Sequence, residues 1–507
     1  MTELPPCDSA DGASAPWPIV PAAPSALPQA IMDRIEQLAR KQLRGFPRLN
    51  DCSIFGENLR SGYREGPTLF LEDHQGIELM PPHRVASHEY RIFGLARSKD
   101  FLLLSRSRAR SFEQYLAGIL SQDSAQILCV DRGDSRIPMA LSAACLKDEP
   151  VLSKLAAAAS AAGTLNICPY LSSGYDWLLG AEIARRSGCP VQICGPLPQI
   201  SRRVNDKLWF SDQVRQILGE ASVPPTYSVY GPIAAASVLA RLARTHERVV
   251  IKLPASAGSM GNLVLESEFV RSLSLAGLRD ELLRRLHAIG WQDRFPILVG
   301  VWEAGALSSP SAQMWIPQPG EGLPVIEGIF GQNLTGVRQA FSGAIEIELP
   351  DNIQDRLRRE ALAISYYFQC LGYFGRLSLD ALLVGTEPGN SELHWIECNG
   401  RWGGVSIPMM VARRLPTGND ARALLIVQRF FSDAGIANFD ELLKRAKPWI
   451  YTKTTGEGIV FLEPTDSEQN NVTFFVVARS QEAAEQMGSE ALQAIIPDSS
   501  MPQVTNI

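Results

Sequence analysis

From Gln126 onward, short apolar runs alternate with helical stretches. Residues 127–131, 165–168 and 191–194 read as strands buried on both faces, because their apolar positions are nearly continuous. Helical stretches at about 136–146, 150–160 and 174–187 separate them. Strand and helix in alternation imply an open α/β sheet. Upstream, 69–71 and 101–104 read as two more short buried strands, and a helix is expected at about 29–44. Residues 1–28 are rich in Pro, Ala and Ser and are expected to form a disordered tail.

A second unit begins near Asn205. A helix over 208–220 stops before Val223-Pro224-Pro225. Strand 248–254 follows, then a loop of small residues over 255–262 and a return strand at 263–265. Further strands are expected at 297–303, near 312–317 and 324–330, over 375–384, and at the run containing Glu397. A helix over 353–371 interrupts them. The last segment carries strands at 458–462 and 472–477 and a helix over 480–495, which read as a small α+β cap. The expected division is a tail at 1–28, an N-terminal α/β domain at 29–200, a core at 201–415 and a cap at 416–507. Residues of about 225–300 form a lid on the core.

Composition narrows the function classes. With 507 residues, 45% hydrophobic and 20% charged, the chain can build a real core in two to four domains. A net charge of −6 argues against a broad nucleic-acid footprint. Nine cysteines, scattered and without a C-x-x-C, point to free thiols in a reducing, cytoplasmic setting. The six histidines make no zinc pattern, and His83 and His88 lack the companions of a known motif. No apolar run is long enough to span a membrane, and the N-terminus has no basic or apolar signal region. There is no G-x-G-x-x-G, and the small-residue loop is not a P-loop because no G-K-[ST] follows it.

Chemistry concentrates in His394-Trp395-Ile396-Glu397-Cys398-Asn399-Gly400-Arg401. On a strand, Glu397 and Asn399 share a face. Two oxygen ligands so spaced suit Mg2+, and the Arg401 fork suits phosphate or carboxylate. Asp380 and Lys252 are single charges in apolar strands, costly to bury unless paired. In Gly258-Ser259-Met260-Gly261, glycines let backbone N–H groups approach phosphate.

Glu397-x-Asn399-x-Arg401 resembles the metal-binding strand of the ATP-grasp superfamily. Lys207 after Asp206, Lys252, the glycine loop, Glu303, Asp380, Glu397, Asn399 and Arg401 follow the superfamily's order. The resemblance implies an ATP-grasp fold, α/β and α+β in class, with an N-terminal pre-ATP-grasp α/β domain and a small C-terminal α+β cap. It implies ATP and Mg2+ as cofactors. Lys207 and Lys252 would meet phosphates under the lid loop of Gly258, Ser259, Met260 and Gly261. The Trp302 backbone would meet adenine, and Glu303 the ribose. Asp380, Glu397 and Asn399 would ligate metal, and Arg401 would stabilise the reacting group. Arg338 and Arg376 are weaker candidates for a substrate carboxylate. The segment 169–175, the Glu397 strand and the C-terminal cap also resemble the peptide ligases of pheganomycin-type biosynthesis, over most of 120–507. That likeness implies a ligase activating a small-molecule carboxylate as an acyl phosphate and joining it to an amino-acid or peptide amine, with neither nucleic acid nor membrane as partner. A homodimer is expected by analogy. Two other readings share the ATP site: a carboxylase, and a nucleotide-binding regulatory protein without ligase chemistry.

Overall fold

In the computed structural model, residues 26–496 are described, apart from 78, 81–87, 122, 124, 134–137, 255, 257–260, 304, 336–339, 417–422, 432–435 and 466–470. Gly258, Ser259, Met260, Arg338, His83 and nearly all of the expected tail lie outside the described residues. Three sheets organise the rest.

The first sheet has six strands: β1 (Leu59–Ser61), β2 (Thr68–Leu71), β3 (Phe101–Leu104), β4 (Gln126–Cys129), β5 (Leu165–Pro169) and β6 (Val191–Ile193). Their order is β1-β6-β5-β2-β3-β4, and every pairing is parallel. Every residue of β2, β3 and β5 is buried, which explains their unbroken apolar runs. The helix expected at 174–187 is Gly174–Ser187. It opens on a capping box between Ser173 and Asp176 and closes at Gly188, whose φ of 69° lies in the left-handed region.

The second sheet is small and antiparallel. Its strands are β7 (Thr226–Val229), β8 (Arg248–Lys252), β9 (Asn262–Glu266) and β10 (Ile297–Val301), in the order β7-β10-β8-β9. Val249 and Ile251 of β8 join Leu239, Leu282 and Val299 in a separate hydrophobic cluster with the helices Pro232–Leu242 and Leu275–Ala288. Period-two alternation therefore turns Lys252 to the opposite face of the sheet. The expected hairpin of two strands around a small-residue loop is β8 and β9, with Lys252 directly opposite Asn262.

The third sheet holds β11 (Ala306–Ser308), β12 (Pro310–Ile316), β13 (Val325–Thr335), β14 (Ala340–Glu346), β15 (Gly375–Val384), β16 (Glu392–Asn399), β17 (Ala423–Phe430), β18 (Gly458–Phe461) and β19 (Asn471–Ala478). It is antiparallel. β16 lies beside β15, and β11 with β12 on the other side of β15, followed by β13, β14, β17, β19 and β18. Helix Asp351–Cys370 packs on it through Leu357, Ala361, Ile364 and Phe368. The C-terminal segment has the expected α+β make-up, with helix Gln481–Ile495. Its strands, however, extend the core sheet instead of forming one of their own: Gly343 of β14 sits opposite Val427 of β17. A Cβ on Gly343 would lie 2.1 Å from the carbonyl oxygen of Ile426, so the close approach needs glycine. Docking β17 also covers what would otherwise be an open sheet edge. His88 ties this segment to the first domain, its Nδ1 lying 2.7 Å from Glu463.

Arg376 is not placed to meet a substrate. Its guanidinium pairs with Glu327 in the core and lies over the rings of Trp315 and Trp402 at 5.4 and 4.9 Å. Glu327 also accepts from Arg413 at 3.0 Å. Glu327→Ala removes the carboxylate that both guanidinium groups share. A loss of about 3–5 kcal/mol is expected in urea unfolding, as for breaking a buried pair from one side. A change below 1 kcal/mol would refute this. No helix among the described residues is long and apolar enough to cross a membrane.

Candidate functional site

A cleft of about 440 Å3 lies between the second and third sheets. Lys207, Lys252, Asn262, Trp302, Glu303 and Glu397 line it, with an apolar wall that includes Val301, Leu334, Leu382 and Ile396. Sequence reasoning had singled out five of those six polar or aromatic positions.

The β15–β16 hairpin brings the acids together. Asp380 faces Glu397, and Ser378 faces Asn399, with an irregularity after Asp380. Asn399 Nδ2 donates to Asp380 at 2.9 Å, and the Ser311 hydroxyl donates to it at 2.6 Å. Burial raises the pKa of the Asp380 carboxyl, and the neighbouring Glu397 charge raises it further. Burial would do the same to Glu397, but Lys207, Arg401 and Lys252 together hold it below the usual range. Burial pulls Lys252 down to about 8, against the opposing pull of Glu397. The cluster is thus two carboxylates facing several cations, most of them largely buried.

Helix Lys207–Leu218 positions the first lysine. Asp206 caps it, accepting from the amides of Leu208 at 2.8 Å and Trp209 at 3.2 Å. Lys207 then reaches Glu397 at 2.8 Å and donates to the Ser256 carbonyl at the base of the β8–β9 loop. Gly261 closes that base. Its carbonyl accepts from Leu253 N–H at 3.0 Å, and a Cβ there would lie 2.1 Å from Ser256 Oγ.

Arg401 stands on the turn after β16. Its Nη1 donates to Asn205 Oδ1 at 2.9 Å, while Nε is buried without a partner. The same Asn205 oxygen accepts from Gly400 N–H at 3.0 Å, and its amide donates to the Gly400 carbonyl at 3.2 Å. A Cβ on Gly400 would meet Val204 Cγ2 at 2.3 Å. Gly400→Ala should therefore cost about 1–3 kcal/mol in urea unfolding, the usual price of overpacking. An unchanged midpoint would show that the turn has room.

Two of the expected nucleotide contacts have partners within the fold. The Trp302 N–H donates to the Arg248 carbonyl at 3.1 Å, so it is committed within the fold. Glu303 lies 3.1 Å from His394 Nδ1, whose other nitrogen faces Glu392 at 3.2 Å. Burial lowers the His394 pKa, but the two carboxylates outweigh it and hold the group above its ordinary value. Asn205, Asn262 and Ser311 were given no role from sequence, and His394 stood only as the start of the Glu397 run. The available signal was adjacency: Asn205 precedes Asp206-Lys207, and Asn262 follows the glycine loop.

A family model described as the pre ATP-grasp domain matches residues 89–188. No curated protein matches the chain in sequence. Solved structures do match in fold. A pyruvate carboxylase from Rhizobium etli, with acetyl coenzyme A, aligns over 84% of this chain at 13% identity and a TM-score of 0.53; the alignment spans only 37% of that longer chain. A biotin carboxylase from Campylobacter jejuni, complexed with β-γ-ATP, aligns over 85% of this chain and 91% of its own, at 14% identity and a TM-score of 0.53. An N5-carboxyaminoimidazole synthase from Aspergillus clavatus, with ADP and 5-aminoimidazole ribonucleotide, covers 85% and 98% at 12% identity and a TM-score of 0.50. With the three sheets and the matched domain, these likenesses establish that this chain has the ATP-grasp fold behind a pre-ATP-grasp domain.

Proposed function

We propose that the protein is an ATP-dependent ligase that activates a carboxylate and joins it to the amine of an amino acid or peptide. The observation that carries this reading is the β15–β16 hairpin, with Asp380, Glu397 and Asn399 gathered opposite Lys207 and beside Arg401. The cleft fits a nucleotide. Asn262 Oδ1 and Ser308 Oγ line it, buried and without partners, and the apolar wall suits a base. The acids fit Mg2+: Asp380 faces Glu397 across the hairpin, and Asn399 lies on the same strand, giving a set of oxygen donors. Mg2+ characteristically takes one or two carboxylates and completes its shell with substrate phosphates and water. Asp380, Glu397 and Asn399 would hold it, and it would neutralise charge on the phosphate oxygens.

In this reading the substrate carboxylate oxygen attacks the γ-phosphorus of ATP, and ADP leaves. The acyl phosphate carbon is then attacked by the amine nitrogen. Phosphate departs, the nitrogen loses a proton, and an amide remains. Lys207 and Lys252 neutralise the transferring group, and Arg401 stabilises the oxyanion at the acyl carbon. The β8–β9 hairpin is the lid that keeps water from the acyl phosphate. Modified amino acids and peptides, as in pheganomycin-type ligases, are the first substrates to examine.

The test is phosphate release from Mg-ATP with carboxylates and amines, singly and in pairs, and mass spectrometry of the products. Release that needs both partners, with a condensed product one water lighter, supports the ligase. Release driven by bicarbonate alone would establish the carboxylase instead. Nucleotide binding without any turnover would favour a regulatory protein.

A further inference from the structure

A second cleft, of about 480 Å3, shares no lining residue with the first. It lies among residues that follow β2, β4 and β5, at the carboxyl ends of the parallel strands. Its walls include Asp73, Ser142, Leu171, Ser173, Tyr175 and Asp176. β2 and β5 are neighbours, yet the chain leaves β2 for β3 and β4 on one side and leaves β5 for β6 on the other. Such a reversal of strand order opens a crevice, and open α/β sheets bind ligands there. The volume is that of a small-molecule site.

Asp176 decides what chemistry fits. It is buried, and its hydrogen bonds come from neutral donors: the Ser142 hydroxyl, the Ser173 amide at 2.7 Å and the Ser173 hydroxyl at 2.8 Å. Among the described residues it has no ion pair. A carboxylate offers about four acceptor positions, so one is left. Asp73, on the same wall, adds negative charge. Its cation, Arg132, sits at 2.8 Å and is shared with Glu89 at 3.1 Å. Burial pushes Asp176 up to about 6, and the neighbouring Asp73 charge adds to the rise. The amide dipoles at the start of its own helix offset only part of that charge. The helix cap explains why an acid stands at this position, but not why a ligand-sized crevice opens beside it. Tyr175 and Leu178 also line the cleft while remaining 48% and 50% exposed, an apolar rim one helical turn long.

We infer that this crevice binds a protonated primary amine carrying an apolar group, with the ammonium against Asp176 and Asp73 and the apolar group on Tyr175 and Leu178. As the seat of the amine substrate it rests on the ligase reading; as a binding site it does not. The Trp402 N–H donates to the Tyr170 carbonyl at 3.0 Å, so the loop that forms the crevice abuts the turn bearing Arg401.

The test is calorimetry on the full chain, without ATP, using phenethylamine and its neutral counterpart phenethyl alcohol. The amine is expected to bind at least about tenfold more tightly. Leu178→Arg puts a cation on the exposed rim without touching the core and should weaken the amine at least about tenfold, with binding of a fluorescent ATP analogue unchanged as the control of fold. Equal affinity for amine and alcohol, absence of amine binding, or an unaltered Leu178→Arg affinity would each overturn the inference. Amine binding lost in Leu178→Arg, alongside ATP turnover that no amine stimulates, would sink the ligase reading and leave this site standing. Amine-dependent turnover with an unaltered Leu178→Arg affinity would do the reverse.

Discussion

Asp380→Asn and Glu397→Gln should each reduce Mg-ATP-dependent phosphate release by about 10²–10³-fold or more, while moving stability in opposite directions. Asp380 is a carboxylate raised by burial and by the neighbouring Glu397, and its hydrogen bonds come from the neutral donors Ser311 and Asn399. An amide there removes a like-charge contact. It keeps the Ser311 bond, and the Asn399 amide can turn its oxygen toward the new donor. The nucleotide-free protein should gain about 0.5–2 kcal/mol. Glu397 is the countercharge for Lys207 at 2.8 Å and also draws on Lys252 and Arg401. Its loss removes the ion-pair partner of Lys207 and weakens the countercharge felt by the other two. About 3 kcal/mol should be lost, at the low end for a buried pair because the Glu397 side chain is 23% exposed. Urea unfolding without nucleotide, beside phosphate release with it, reads both effects. Normal turnover in either variant ends the metal-ligand assignment. Stability shifts of the same sign would end the electrostatic account of the cluster.

These opposite signs were not legible in the chain, although the residues were. Asp380 and Lys252 stood out because a lone charge inside an apolar strand violates the cost of burial, a local signal. The strand over 375–384 and the helix over 174–187 coincide with Gly375–Val384 and Gly174–Ser187, since periodicity and caps are also local. What failed to show depends on distant pairing. Asn205 meets Gly400 across 195 positions, and no period encodes that. Trp302 looked open to a base because its sheet partner, Arg248, lies on another strand. β18 and β19 were visible as strands, but β17, which joins them to β14, was not. β1, with three residues, is too short to display a period.

Arg401→Ala should abolish product while leaving nucleotide affinity within about threefold. The case rests on where the guanidinium is held. Asn205 fixes one of its nitrogens and the preceding peptide together, so the group is oriented before any substrate arrives, and its buried Nε keeps a donor without a partner. A positioned, unspent donor is what stabilises charge that develops only during reaction, and removing one such donor typically costs about 10²–10³-fold in rate. The nucleotide cleft is lined by other residues, among them Lys207, Lys252 and Asn262, so binding should survive. Glu397 would still have Lys207 at 2.8 Å, so the hairpin should keep its shape. Titration with a fluorescent ATP analogue and mass spectrometry of the products separate the two effects. Weakened nucleotide binding would make Arg401 a phosphate clamp, and full product yield would move the oxyanion role to another group. Asn205→Ala adds a second reading of the same geometry. If orientation is what Asn205 supplies, kcat should fall by about 10–100-fold with KM nearly unchanged, as when a group that orients a functional residue is removed. A change in KM alone would mean that Asn205 serves binding instead.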